Sequence, residues 1–347
     1  MGRKATEPLM ETSKHRSVKK SKHKRGRRSD RRYAIHFIVM AAATVFVIGG
    51  CISQPIKSKT TLDIQDWSED GLLGRRITTP HFDIFSTVTD HPFEAALPEF
   101  LESAFERYQE TLPGGPRTKL SIYLFGCRPQ WEQFARQRFP YRLETYSRIR
   151  AGGFTEGNCA VLFYTDRPTA LATLAHEGWH QYVNASAGQG MPAWLNEGLA
   201  CYHEAVEWSG RKPRLTLGRN IFRVEHLRQA VRRDRLLSLP ELLNTHAGEV
   251  IRQDNSTIAQ TYYAQAWGLV DFLHSGAGGR YAPGLEQMLR DIAQGAFAIR
   301  VRSAQLPALG KGEMTEAEAA FREYLGQHPA ALEEQYQNHL IRLADFH

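Results

Sequence analysis

Within this chain of 347 residues, the stretch His176-Glu177-Gly178-Trp179-His180 carries the residue types best suited to chemistry. On a helix, residues i and i+4 share one face, so His176 and His180 can address one ion. Glu177 stands beside the first histidine, where it can reach a water on that ion rather than the ion itself. After sixteen intervening residues comes Glu197, inside Trp194-Leu195-Asn196-Glu197-Gly198-Leu199-Ala200. A second helix bearing Glu197 could supply a third ligand. Two imidazoles and one carboxylate leave a fourth position for water, the arrangement of a catalytic rather than a structural zinc site.

Elements must hold these side chains in place. Thr165-Asp166-Arg167-Pro168 reads as a helix start, with Asp166 or Thr165 as the cap and proline in the first turn. Leu171, Leu174, Ala175, Trp179, Tyr182 and Val183 give that helix a wide apolar stripe, so it should be fixed by core on several sides. Upstream, alternation predicts strands over 79–88, 120–125 and 160–164. Helical spacing predicts helices over 93–112, ended by Pro113-Gly114-Gly115-Pro116, and around 130–137. The expected class is α+β: a small mixed sheet packed on the active-site helix, then a mostly helical C-terminal half. There, Ser238–Leu243 starts a helix, Gly276–Gly279 reads as a mobile loop, and 284–298 and 314–343 read as amphipathic helices. Gly152-Gly153 and the strand at 160–164 are expected to form the sheet edge beside the cleft, where an extended peptide could add by main-chain pairing.

The paired motifs resemble those of the gluzincin metallopeptidases, in particular the peptidase-MA-like families of bacterial exported proteins. The resemblance covers about 79–275 and is strongest at 175–203. It implies a zincin-like fold, one Zn²⁺ on His176, His180 and Glu197, and Glu177 as the general base. The sixteen-residue gap is slightly short for the family. In the Thr261–Leu273 segment, Tyr-Ala-Gln followed by an apolar run also looks like these families. By that likeness Tyr263 is the oxyanion donor, chosen over Tyr262 because it directly precedes Ala264-Gln265. His226, His246 and His274 are donor candidates without a motif. Glu204 is the runner-up for third ligand and otherwise a supporting or surface group. His203 points away. Asn196 either orients a ligand or is a surface amide, and Cys201 reads as core. The implied substrate is a peptide or protein. The lack of a Gly-x-Met-x-Asn-like stretch leans toward endopeptidase over aminopeptidase. A zinc-binding but non-catalytic envelope scaffold is the alternative, and an interaction protein with an accidental string is a third reading.

The net charge of +7 is concentrated at one end. Residues 1–32 hold thirteen Lys/Arg against three Asp/Glu, a balance of +10, so the other 315 residues sum to −3. With no basic patch interleaved with aromatics on the globular part, no nucleic-acid partner is expected. Residues 1–32 are expected to be disordered. The apolar run at 33–51 has signal-peptide length and ends Ile48-Gly49-Gly50-Cys51, which resembles a bacterial lipobox lipidated at Cys51. An uncleaved anchor with the basic tail in the cytoplasm is the alternative. Both attach the chain to the membrane of the cell envelope with its catalytic part on the extracytoplasmic side. Residues 52–75 read as a tether, 76–205 as the catalytic part and 206–347 as a helical part. No Cys-x-x-Cys pair exists, which excludes a zinc ribbon. Cys127 and Cys159 flank predicted strands and could form a disulfide, or could be separate thiols.

Overall fold

The computed structural model describes residues 62–149, 152–186, 190–209, 212–216, 218, 220–252, 256–305 and 314–345. The basic segment, the apolar run with Cys51 and the first part of the expected tether lie outside them. Among the described residues, no helix is long and apolar enough to cross a membrane.

The remainder of the expected tether is sheet. β1 (Asp63–Glu69) and β2 (Leu72–Thr78) pair antiparallel with Glu69 opposite Leu72. The two residues between them, Asp70 and Gly71, both have positive φ, 52° and 79°. That is the backbone of a type I′ turn, for which Asp-Gly is a favoured pair. β1 is almost wholly exposed and shows no buried alternation, so its composition resembles that of a linker.

β3 (Phe82–Ser86), α1 (His91–Thr111), β4 (Leu120–Phe125), α2 (Arg128–Arg138) and α3 (Leu143–Tyr146) follow. Then come β5 (Gly153–Glu156), β6 (Cys159–Phe163) and α4 (Arg167–Ser186). The six strands lie in the order β1-β2-β3-β4-β6-β5, parallel within β3-β4-β6 and antiparallel elsewhere. Period-2 alternation gives the sheet two apolar faces. Ile84, Ile122, Leu124, Ala160 and Leu162 face the core that contains α1 and α4. Tyr123, Phe125, Phe154, Val161 and Phe163 face a second cluster with Trp131 and Phe134 of α2.

Two expectations about this sheet need correction. The strand at 160–164 is β6 and is internal, because β5 covers it; the edge on that side of the sheet is β5. Cys127 and Cys159 are free thiols. Their strands are neighbours, but parallel ones, with Cys159 beside Ser121 and Phe163 beside Phe125. Cys127 therefore lies about six residues, or roughly 20 Å, along the sheet from Cys159, beyond disulfide reach.

The second half is helical. α5 (Ala193–His203) leads through the hairpin β7 (Val206–Ser209) and β8 (Lys212–Leu215) to α6 (Ile221–Arg232), α7 (Leu239–Asn244), α8 (Ala247–Arg252) and α9 (Ser256–Ser275). Gly276–Gly279 is a tight turn in which Ala277 and Gly278 have left-handed φ of 49° and 69°. α10 (Ala282–Ala293) and α11 (Phe297–Gln305) divide the predicted 284–298 helix at Gly295, which has φ 71°. α12 (Glu316–Leu325) and α13 (Pro329–Asp345) divide the predicted 314–343 helix at Gly326, a left-handed C-cap followed by Pro329. One core of buried side chains runs from the sheet through α4 and α5 to α9 and α13, on both sides of position 205.

Candidate metal centre

The structure brings together His176, Glu177 and His180 on α4 and Glu197 on α5. α4 is capped as expected, the Asp166 carboxylate accepting the Thr169 N–H at 2.9 Å. Leu171, Leu174, Ala175, Trp179 and Tyr182 are fully buried along it, which fixes its rotation about its axis.

His176 Nε2 and His180 Nε2 are 3.2 Å apart. Glu197 Oε2 lies 3.5 Å from the first and 3.3 Å from the second. Hydrogen-bond logic identifies what these atoms present to one another. The Trp179 indole can only donate, and it donates to Asn196 Oδ1 at 3.0 Å, so that oxygen is an acceptor. His180 Nδ1, 3.1 Å from the same oxygen, must then carry a hydrogen. His176 Nδ1 lies 2.8 Å from Glu204 Oε1 and donates to it. In the neutral tautomers both Nε2 atoms are bare lone pairs, and they converge with the carboxylate oxygen Glu197 Oε2, which is buried without a hydrogen-bond partner. Three electron-rich atoms in a triangle repel unless a cation lies between them.

A tetrahedral zinc with ligands at about 2.0–2.1 Å would space them about 3.3–3.4 Å apart, so the residues fit such an ion. Without an ion, the same groups draw in positive charge as protons. Burial alone would lower the His176 pKa, but its contacts with Cys201, Glu197 and Glu204 outweigh this and raise it well above the ordinary value. Burial opposes ionisation of Glu197, but the two imidazoles hold its carboxyl far below the usual range.

A second trio of ligand types, His176, Cys201 and Glu204, also lies within reach of a single ion. Glu204 is already saturated: Arg223 and Asn220 donate to it along with His176. Despite burial, Arg223 and His176 hold its pKa down to about 2. A carboxylate committed to a guanidinium orients His176 from behind rather than binding a metal. Asn196 does the same for His180. Cys201 is buried beside His176, and burial pushes its thiol pKa up. His203 faces away into the core, stacked on Trp179 and edge-on to Tyr108.

Glu177 is buried and reached from the edge strand. Phe154 of β5 turns to the α2 face, so Thr155 turns to α4, where its hydroxyl donates to Glu177 Oε2 at 2.7 Å. A cavity of about 530 Å³ opens beside Glu177 and His176. Tyr263 lines it, with its ring 6.0 Å from that of His176 and the Arg223 guanidinium 5.2 Å from its own centroid. Burial, Glu197 and Cys201 raise the Tyr263 pKa well above the ordinary value, which keeps the phenol protonated. Tyr262 is fully buried in the core. Gln265 is structural, its amide accepting from Leu237 N–H and donating to Leu237 C=O. Of the three further histidines, only His226 lines the cavity.

Sequence reasoning missed Thr155, Asn220 and Arg223. Asn220 could be read as a cap, since its side chain accepts from the Phe222 and Arg223 N–H groups at the start of α6. Nothing local reveals that its amide, and Arg223 three residues later, meet Glu204.

No curated protein matches the chain significantly. A model of a family described as "Protein of unknown function (DUF1570)" matches residues 170–287, from the end of the first turn of α4 into α10, and so spans all three candidate ligands and Tyr263.

Proposed function

We propose that this chain is a zinc-dependent peptidase of gluzincin type, tethered by its N-terminal segment outside the cytoplasmic membrane. The carrying observation is the convergence of two imidazole nitrogens and one carboxylate oxygen within 3.2–3.5 Å beside the buried Glu177. Zinc held by His176, His180 and Glu197 would lower the pKa of a water to about 7 and polarise the scissile carbonyl. Glu177 would accept a proton from that water as its oxygen bonds to the scissile carbonyl carbon, and would pass the proton to the amine nitrogen as the carbon–nitrogen bond breaks. The Thr155 hydroxyl occupies Glu177 Oε2 and fixes the plane of the carboxylate, leaving Oε1 for the proton. The Tyr263 phenol donates to the oxyanion that develops on the substrate. β5, as the free edge beside the cavity, can pair with an extended substrate.

Zinc analysis and peptide hydrolysis by the purified full-length protein test this reading. Wild type should hold about one zinc per chain, as a site with three protein ligands predicts, and should lose it in His176→Ala and in Glu197→Ala. Glu177→Gln should keep the zinc and lose about 10²–10⁴-fold in turnover. Hydrolysis unchanged in Glu177→Gln would refute the assigned base. Zinc bound without any hydrolysis by wild type would favour a non-catalytic scaffold.

A further inference from the structure

The cavity beside Glu177 has a charge pattern that the peptidase reading does not use. Its wall is largely apolar, with Ile149, Phe222, Val250 and Ile251 among its residues. Two arginines and two glutamates are among its lining: Arg148, Arg223, Glu177 and Glu204. Arg223 and Glu204 neutralise each other. Glu177 belongs to the proposed chemistry. Among the described residues Arg148 has no buried counter-charge, Glu144 being its one acidic partner. Its guanidinium donates to the Arg252 main-chain carbonyl at the end of α8 and to Glu144. The carbonyl carries no net charge, and Glu144 is 85 % exposed, so water screens that pair. A guanidinium has five N–H donors in a planar fork suited to a carboxylate, and two protein bonds do not exhaust them. His226 adds a second polar group in the same wall. Its Nδ1 is buried without a hydrogen-bond partner among the described residues.

We propose that this cavity is a substrate subsite that recognises a carboxylate, with Arg148 as its anchoring cation and His226 as a further polar contact. This rests on the peptidase reading. The carboxylate belongs either to an Asp or Glu side chain near the scissile bond or to a free C-terminus. Arg148 is a specificity residue and takes no part in bond cleavage.

The test measures binding, so it does not depend on turnover. Calorimetry with the zinc-loaded full-length Glu177→Gln protein would use blocked peptides carrying Glu, Gln or Lys at successive positions. A second set would carry a free or an amidated C-terminus. One charged contact in an apolar wall predicts at least about tenfold tighter binding of the carboxylate member of one set. The set that discriminates identifies the source of the carboxylate. Adding Arg148→Gln should bring the two members of that pair within about twofold, while binding of the neutral peptide stays within the same range. A role limited to holding the end of α8 would weaken all peptides together and leave their ratio intact. Equal binding of Glu and Gln peptides with equal binding of both C-terminal forms, a preference surviving Arg148→Gln, or no binding of any peptide would overturn the proposal. If the carboxylate preference is found and wild type hydrolyses none of the peptides, the subsite stands and the peptidase reading falls.

Discussion

At the scale of single residues, each candidate ligand is held by a partner that fixes which atom it presents. Asn196 is the clearest case because one oxygen serves both the Trp179 indole and the His180 imidazole. Removing it leaves His180 free to rotate or to change tautomer. Asn196→Ala should weaken zinc binding by about 10–100-fold, the usual cost of losing such a partner, as read by competition with a chromophoric chelator. Asn196→Asp keeps an acceptor oxygen and should retain most of the affinity. Equal affinity in Asn196→Ala and wild type would show that the amide does not orient the ring. Tyr263 makes a different demand, since its hydroxyl is assigned to the substrate and not to the protein. Tyr263→Phe should lower kcat by about 10²–10³-fold with little change in zinc content. A kcat within twofold of wild type would pass the donor role to another residue.

At the scale of elements, the decisive contact is between α5 and α9, which carry Glu197 and Tyr263. A Cβ added at Gly198 would sit 2.5 Å from the Ala266 carbonyl oxygen and 2.6 Å from Val270 Cγ2. The glycine after Glu197 is therefore what lets the two helices lie close together. Gly198→Ala should destabilise the fold by about 1–3 kcal/mol, as overpacking does, read from urea unfolding. It should also weaken zinc binding, because the carbonyl of α9 cannot move aside and α5 must. A Gly198→Ala protein with unchanged stability would mean that this packing is looser than the geometry implies. The same scale explains what the sequence made legible. α1, α4, β4 and β6 are patterned by burial on known periods; Asp166 marks the start of α4 and the Pro-Gly run the end of α1, whereas the Asp90 cap of α1 shows only in the structure. β1 is not, because almost nothing on it is buried; only Asp70-Gly71 betrays the hairpin. The helices of the C-terminal half were legible as apolar periodicity, but their breaks at Gly295 and Gly326 lie within otherwise continuous patterns. At the site, the spacing of the two histidines was readable because one helix sets it. Thr155, Asn220 and Arg223 reach the site across 22, 16 and 19 residues of chain from their carboxylate partners, and no local period encodes such distances.

At the scale of the whole molecule, stability should depend on pH through a histidine that the site does not use. His203 is fully buried between Tyr108 and Trp179. Burial, with a smaller contribution from Arg107, lowers its pKa to about 3. An unfolded chain binds this proton near pH 6.5, whereas the folded chain refuses it until about pH 3. Between those values the unfolded state holds more protons, so stability rises with pH and is lost as pH falls through the window. The slope from this one group is about 1.4 kcal/mol per pH unit. Other groups titrate in the same range, and acid also releases metal from histidine ligands, so the contribution is best read as a difference between two proteins. His203→Phe suits the purpose. The ring fits between the same aromatic neighbours, Nδ1 has no partner to lose, and the Thr111 hydroxyl keeps the Arg107 carbonyl. Urea unfolding of the metal-free proteins from pH 7 to pH 4 should give a shallower loss of stability in His203→Phe, the two curves diverging as the pH drops below about 6.5. Parallel curves would mean that His203 takes up its proton in the folded state, and that the core behind the metal centre admits water.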